Sequence, residues 1–106
     1  MLQQFDVHRS TGRAGTAYPY LVVVQSNAFR ALKRRLAIPL LRRDAVPAAV
    51  GNALPEFTIE GTRVILSALD LGSFPKDAFG ERVGSLADDG DSIVAAIDAA
   101  IARGFS

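Results

Sequence analysis

Apolar residues along this chain come in short runs, separated by polar and glycine-bearing stretches. The longest begins at Tyr20. Tyr20, Leu21, Val22, Val23 and Val24 form a near-continuous β-branched and aromatic run that stops at Gln25-Ser26-Asn27. A second apolar run closes at Ile38-Pro39-Leu40. Tyr18 to Gln25 and Leu32 to Leu41 therefore read as two strands joined by a polar connection. Gln3 to His8 alternates, with Phe5 and Val7 on one face, and reads as an earlier strand. Arg9 to Thr16 is polar, with Gly12 and Gly15, and reads as a loop. Pro39 lies inside the third strand. Proline cannot donate to a ladder, so it predicts an edge position or a bulge. Phe57 to Ile59 and Arg63 to Ala68 predict a hairpin around Glu60-Gly61-Thr62. Leu71 to Phe79, with Gly72 and Pro75, predicts irregular structure.

The period then changes. Asp88 to Ala102 predicts the one clear helix. Ile93, Val94, Ile97 and Ile101 fall on one apolar face. Asp88 or Asp89 suits its N-terminus, and Gly104 suits its end. Strands first and one helix last, in so short a chain, predict a mostly-β α+β domain with a strongly bent antiparallel sheet.

At 106 residues the chain makes one domain, residues 1–106. Its 49% apolar content suffices for a core, but a domain this small gains from association. Without cysteine there is no disulfide scaffold, thiolate metal site or thiol nucleophile. The N-terminal residues lack a charged region followed by an apolar one, and no run approaches the ~20 apolar residues of a membrane span. A soluble cytoplasmic protein without a membrane partner is the expectation. Charge changes the picture more. Residues 1–53 hold eight Lys or Arg against two acids, and residues 54–106 hold four against nine. The basic half centres on Arg30, Lys33, Arg34, Arg35, Arg42 and Arg43. It marks either a face for an acidic partner or nucleic acid, or the solvated ends of strands.

Candidate chemistry is sparse. His8 is the single histidine, so one chain offers neither a histidine metal cluster nor a histidine pair for acid–base work. No nucleophile elbow, phosphate-binding P-loop or dinucleotide fingerprint occurs. Asp88-Asp89-x-Asp91 reads as ordinary helix capping. No cofactor and no metal are called for.

Several blocks taken together carry a resemblance. They are Gln4-Phe5-x-Val7; Val22-x-Val24-Gln25-Ser26; Arg35-x-x-Ile38-Pro39-Leu40; Asp70-Leu71, Ser73 and Pro75; Gly80-Glu81, Val83 and Leu86; then Asp91, Ile93, Ala96 and Ile97. In this order and spacing the chain resembles the CcdB family of toxins. The resemblance implies a small SH3-like barrel of antiparallel strands with a C-terminal helix, assembled as a homodimer. It implies a protein that carries out no reaction. Such toxins bind the DNA gyrase A subunit, trap its cleaved DNA complex, and are neutralised by a CcdA-like antitoxin with an acidic, disordered segment. DNA is met only indirectly, through the antitoxin complex.

The gyrase surface so implied is Gln4, Phe5, His8, Ser26, Asp98, Arg103, Gly104 and Phe105. The acidic antitoxin segment is expected on Arg30, Lys33, Arg34, Arg35, Arg42 and Arg43. One departure stands out. The family pattern ends Trp-Gly-Ile, whereas this chain ends Arg103-Gly104-Phe105-Ser106, with one extra residue before the tail. Phe105 either stands for the final aliphatic residue or folds back on the barrel. MazF and Kid ribonuclease toxins share the fold, so an endoribonuclease is the alternative, as is an inactive CcdB-like binding module. The early Arg-Gly segment usual in those ribonucleases is missing here, and the chain has no Trp.

Overall fold

The computed structural model describes residues 2–11, 18–29 and 31–101. Seven strands form one antiparallel sheet: β1 (Asp6–Ser10), β2 (Tyr20–Val23), β3 (Arg34–Arg42), β4 (Glu56–Ile59), β5 (Thr62–Leu66), β6 (Gly72–Pro75) and β7 (Phe79–Ser85). Their order is β4-β5-β3-β2-β1-β7, with β6 paired to β3 off that path. A one-turn helix, α1 (Ala48–Gly51), precedes β4. The long helix α2 (Gly90–Ile101) closes the described chain. The curled sheet with its helix is the expected α+β, SH3-like architecture. No helix among the described residues is long and apolar enough to cross a membrane.

β3 is central, which corrects the edge expectation for Pro39. Pro39 stands opposite Leu21 of β2. On the other side, β6 pairs with residues 34–37 of β3 and β5 with residues 40–42. Pro39 falls where β3 changes partner. Its carbonyl, which points to that same side, accepts the Ser67 N–H at 3.1 Å. The missing donor therefore costs no ladder bond.

The β4–β5 hairpin turns on two residues, Glu60 and Gly61, with φ of 50° and 77°. Positive φ at both positions is the I′ geometry whose twist suits a two-residue hairpin. The first strand starts later than expected, because Phe5 has φ 68° and breaks the extended run. The stretch expected to be irregular contains β6, and β7 went unread. α2 begins at Gly90, after a 3-10 turn at Ala87–Asp89, rather than at Asp88.

The two faces of the bent sheet bury two clusters. The larger holds Val7, Tyr20, Val22, Ile38, Leu40, Val64, Leu66 and Ile93, with Phe5 and Ile97 packed against it. The smaller holds Leu21, Val23, Ala37 and Phe79, with Tyr18 and Phe74 at its margin. Only part of the expected helix stripe is buried. Ile93 is fully covered, but Val94 is 46% and Ile101 57% exposed.

Candidate functional site

The residues expected to meet gyrase do not all share one surface. Gln4 and Ser26 are neighbours. The Gln4 backbone N–H donates to Asn27 Oδ1 at 2.8 Å, and its side-chain amide donates to the Val24 carbonyl at 3.1 Å. Ser26 Oγ accepts the Ala28 N–H at 3.3 Å, holding the turn after β2. Phe5 links this corner to the helix. Its N–H donates to Val23 O at 2.6 Å and its carbonyl accepts Leu86 N–H at 2.8 Å. Its ring lies so close to Gly90 that a Cβ there would come within 2.8 Å of Phe5 Cε2. Asp98 is exposed on α2, eight residues beyond Gly90, or about 12 Å along the axis. Arg103, Gly104 and Phe105 lie outside the described residues.

His8 departs from this group. Residues of β1 alternate between faces, so Val7 reaches the larger core and His8 the smaller one. His8 is 6% exposed. Its Nδ1 is 2.9 Å from the Gly80 carbonyl, and because a carbonyl only accepts, that nitrogen carries the proton. The ring meets Phe79 edge-on, centroids 5.9 Å apart. Nε2 is buried without a partner among the described residues.

The basic half is likewise divided. Arg34 and Arg42 bound the nine-residue strand β3 and are about 26 Å apart along it. Arg34, beside exposed Lys33, donates to Ser73 Oγ at 2.9 Å and to the Ser73 carbonyl at 2.6 Å. Arg35 sits one residue on and therefore on the opposite face. It is 1% exposed, stands opposite Phe74 of β6, and cannot belong to a solvated cationic face. One guanidinium bond goes to the Arg34 carbonyl, at 3.1 Å, while Nε and Nη2 are buried without partners among the described residues. Arg30 lies outside the described residues.

At the far end of β3 the cations form a cleft. Its volume is about 420 Å³, and Arg42, Arg43, Asp44, Val46, Ala48, Thr62 and Arg63 line it. Arg43 Nε pairs with Glu56 at 3.2 Å, and its Nη2 donates to Asn52 Oδ1 at 3.1 Å. Arg63 pairs with the other Glu56 oxygen at 2.6 Å. The Arg63 hydrogen bond holds the Glu56 carboxyl below its ordinary range, and Glu56 in turn raises Arg63. Sequence reading missed Arg63, Glu56 and also Gly51, where a Cβ would lie 2.5 Å from Arg43 Nη1. The signal lay in the hairpin: with the turn fixed at Glu60-Gly61, Thr58 faces Arg63 and places Glu56 diagonally beside it.

A second polar cluster was also missed. Glu60, at the hairpin tip, accepts the Tyr20 hydroxyl at 2.8 Å and pairs with Arg9. Burial and the Glu60 hydrogen bond push the Tyr20 phenol up. The arrangement ties the hairpin to β1 and β2. Among the described residues no group of three or more His, Asp or Glu side chains is placed to hold a metal ion.

A family model described as CcdB protein matches residues 4–103. No curated protein matches the chain. Among the solved structures that share its shape are two endoribonucleases. One is an endoribonuclease in complex with its cognate antitoxin from Mycobacterial species, at 17% identity and a TM-score of 0.68, covering 94% of each chain. The other is an endoribonuclease from Mycobacterial species, at 16% identity and a TM-score of 0.67, covering 94% of this chain and 90% of that one. At these identities the likeness is one of fold.

Proposed function

The chain belongs to the CcdB family, and from that membership we propose that it is the toxin of a toxin–antitoxin module: a cytoplasmic homodimer that binds the DNA gyrase A subunit, traps the cleaved DNA complex, and is neutralised by a CcdA-like antitoxin. The observation that carries this reading is the extent of the family match. It spans residues 4–103 and so takes in the Gln4–Phe5 lead-in, the turn after β2 and the whole of α2. A binding role also suits the chemistry. The only imidazole is sealed in the smaller core with one nitrogen committed to Gly80.

The homodimer is supported by apolar surface that the single chain leaves uncovered. Leu69, on a 3-10 turn against which α2 packs, is 75% exposed, and Val94 and Ile101 of α2 are also open. Exposed apolar surface on a small domain marks an association face.

An endoribonuclease is the second reading. Two proteins of the same shape carry that name, and Arg9, Glu60 and Tyr20 form a cluster of residue types suited to it. Both Glu60 oxygens are already bonded within the chain, which disfavours it as a base.

Calorimetry with a gyrase A fragment tests the first reading. Wild type should bind. Removing Gly104 to Ser106 should abolish binding and leave the fold intact, because Ile93 and Ile97, which reach the core, precede the cut. Arg103→Trp should tighten binding, since a rigid aromatic fills a desolvated pocket at small entropic cost. Equal binding by the truncated chain would remove the tail from the contact.

A further inference from the structure

The apolar surface left open on this chain is not scattered. Among the described residues seven large hydrophobic side chains are exposed, and all but Val50 lie on a path of neighbouring elements. Phe29 and Leu32, 58% and 56% exposed, sit on the turn between β2 and β3. The Gln25 side chain holds that turn against β3. Its amide donates to the Phe29 carbonyl at 2.8 Å, and its oxygen accepts the Leu36 N–H at 3.1 Å. Leu36 alternates with Arg35 and so shares the face of Ile38, which belongs to the larger core with Ile93 of α2. Ile38 is fully covered, whereas Leu36 is 43% exposed. Leu36 stands opposite Ser73. From there the chain leads back to Leu69, on a 3-10 turn that packs against both β3 and α2. Val94 and Ile101 continue the band along α2.

The two ends of this band carry opposite charge. Lys33 and Arg34 are exposed beside Leu32 and Leu36, and Arg34 shares the face of Leu36. On α2, Asp91, Val94, Asp98 and Ile101 fall at i, i+3, i+7 and i+10, so both carboxylates share one exposed stripe with the apolar pair. The twelve residues of α2 include no cation. The same polarity runs through the sequence, basic in residues 1–53 and acidic in residues 54–106. An apolar band with a basic end and an acidic end is complementary to itself. A two-fold axis near Leu69 would reverse the band of a second copy and lay each basic end on the other's acidic end. Both contacts form at once, as an isologous interface requires. Laying the bands in the same direction would set like charges together.

We propose that the band from Phe29 to Ile101 docks a second copy of this chain in reversed orientation, with Lys33 and Arg34 of each protomer against Asp91 and Asp98 of the other. The proposal rests on the reading of the protein as a homodimer and says which surfaces meet. It assigns Lys33, Arg34 and Asp98 to the contact between copies, in place of the antitoxin and gyrase surfaces that the family resemblance implies for them.

The test is a pair of charge reversals in the full chain, followed by sedimentation equilibrium without gyrase or antitoxin. One variant carries Lys33→Glu with Arg34→Glu, the other Asp91→Lys with Asp98→Lys. Alone, each sets like charges together at both contacts, and its self-association should weaken by about tenfold or more. Mixed in equal amounts, the two variants face each other with opposite charges at both contacts, and the dimer should return. That recovery separates a charge contact from simple damage to the fold, which thermal midpoints of each variant also check. Wild-type dissociation should rise between low and high salt. A monomeric wild type would overturn the proposal together with the homodimer reading. A wild-type dimer that survives either reversal, or reversed variants that stay apart on mixing, would overturn the proposal and leave the homodimer standing.

Discussion

The ring of Phe5 lies against the bare Cα of Gly90, so closely that a methyl group there would sit 2.8 Å from Phe5 Cε2. The contact joins the lead-in to β1 with the first residue of α2. It explains why an aromatic residue is kept at φ 68°, a region bulky side chains avoid. The same contact sets where α2 starts relative to the Gln4–Ser26 corner.

Gly90→Ala should therefore destabilise the fold, although alanine is the better helix former. Overpacking of this kind costs about 1–3 kcal/mol. Chemical denaturation measures it. Phe5→Leu in the same chain should recover part of the loss, because the smaller side chain makes room. A Gly90→Ala variant as stable as wild type would mean that the ring simply moves aside.

Arg35 gives the opposite expectation. Its charge is buried with Nε and Nη2 unpartnered among the described residues. Exchanging a buried ionic group for an apolar one of similar size is often neutral or stabilising, by about 1–4 kcal/mol. Arg35→Met should leave the denaturation midpoint unchanged or raise it. A clear fall would show that the guanidinium edge has a partner beyond the described residues of the chain.

The pH dependence has two limbs of different origin. The folded Glu56 carboxyl titrates below its ordinary value, chiefly through the Arg63 hydrogen bond. A depressed folded value gives stability that is present above the unfolded value of about 4.3 and is lost as pH falls below it. Glu56→Gln should flatten the acid limb of a thermal-midpoint profile. Tyr20 is shifted upward by burial and by Glu60. For a phenol held neutral in the fold, stability is present below the unfolded value of about 10 and declines as pH rises past it. Tyr20→Phe should remove that alkaline decline. Unchanged limbs in the two variants would count against the ion bridge and the Tyr20–Glu60 bond respectively.

Association follows from the uncovered apolar side chains. Sedimentation at micromolar concentration should give twice the 11.3 kDa chain mass, and Leu69→Asp or Val94→Glu should shift the equilibrium toward monomer. Sedimentation of wild type as a monomer would remove the dimer from the account.

Much of the fold was legible in the sequence because local chemistry and tertiary structure agree there. Tyr20–Val23 is buried on both faces and reads as a continuous apolar run; the hairpin declares itself through Glu60-Gly61. β7 escaped because it is a weak strand on paper. It has two glycines and exposed Glu81 and Arg82, and it is specified by pairing with β1 rather than by its own pattern. β6 escaped because Gly72 and Pro75 bound it. Pro39 misled because its penalty depends on which side of β3 lacks a ladder, and that is decided by where β5 and β6 end. The candidate site was less legible. Arg34 and Arg35 look alike in a row of cations, but strand alternation sends one to solvent and the other inside. The Arg42, Arg43 and Arg63 cleft needs the hairpin folded beside β3 before it exists.

Gyrase poisoning is the claim on which the functional account turns. The direct measurement is plasmid cleavage by gyrase and ATP in the presence of the purified chain, with a labelled RNA in a parallel metal-free reaction. The account predicts linear plasmid that rises with chain concentration, no rise with a gyrase resistant to CcdB, and intact RNA. Cleaved RNA with no linear plasmid would contradict it and make the chain an endoribonuclease.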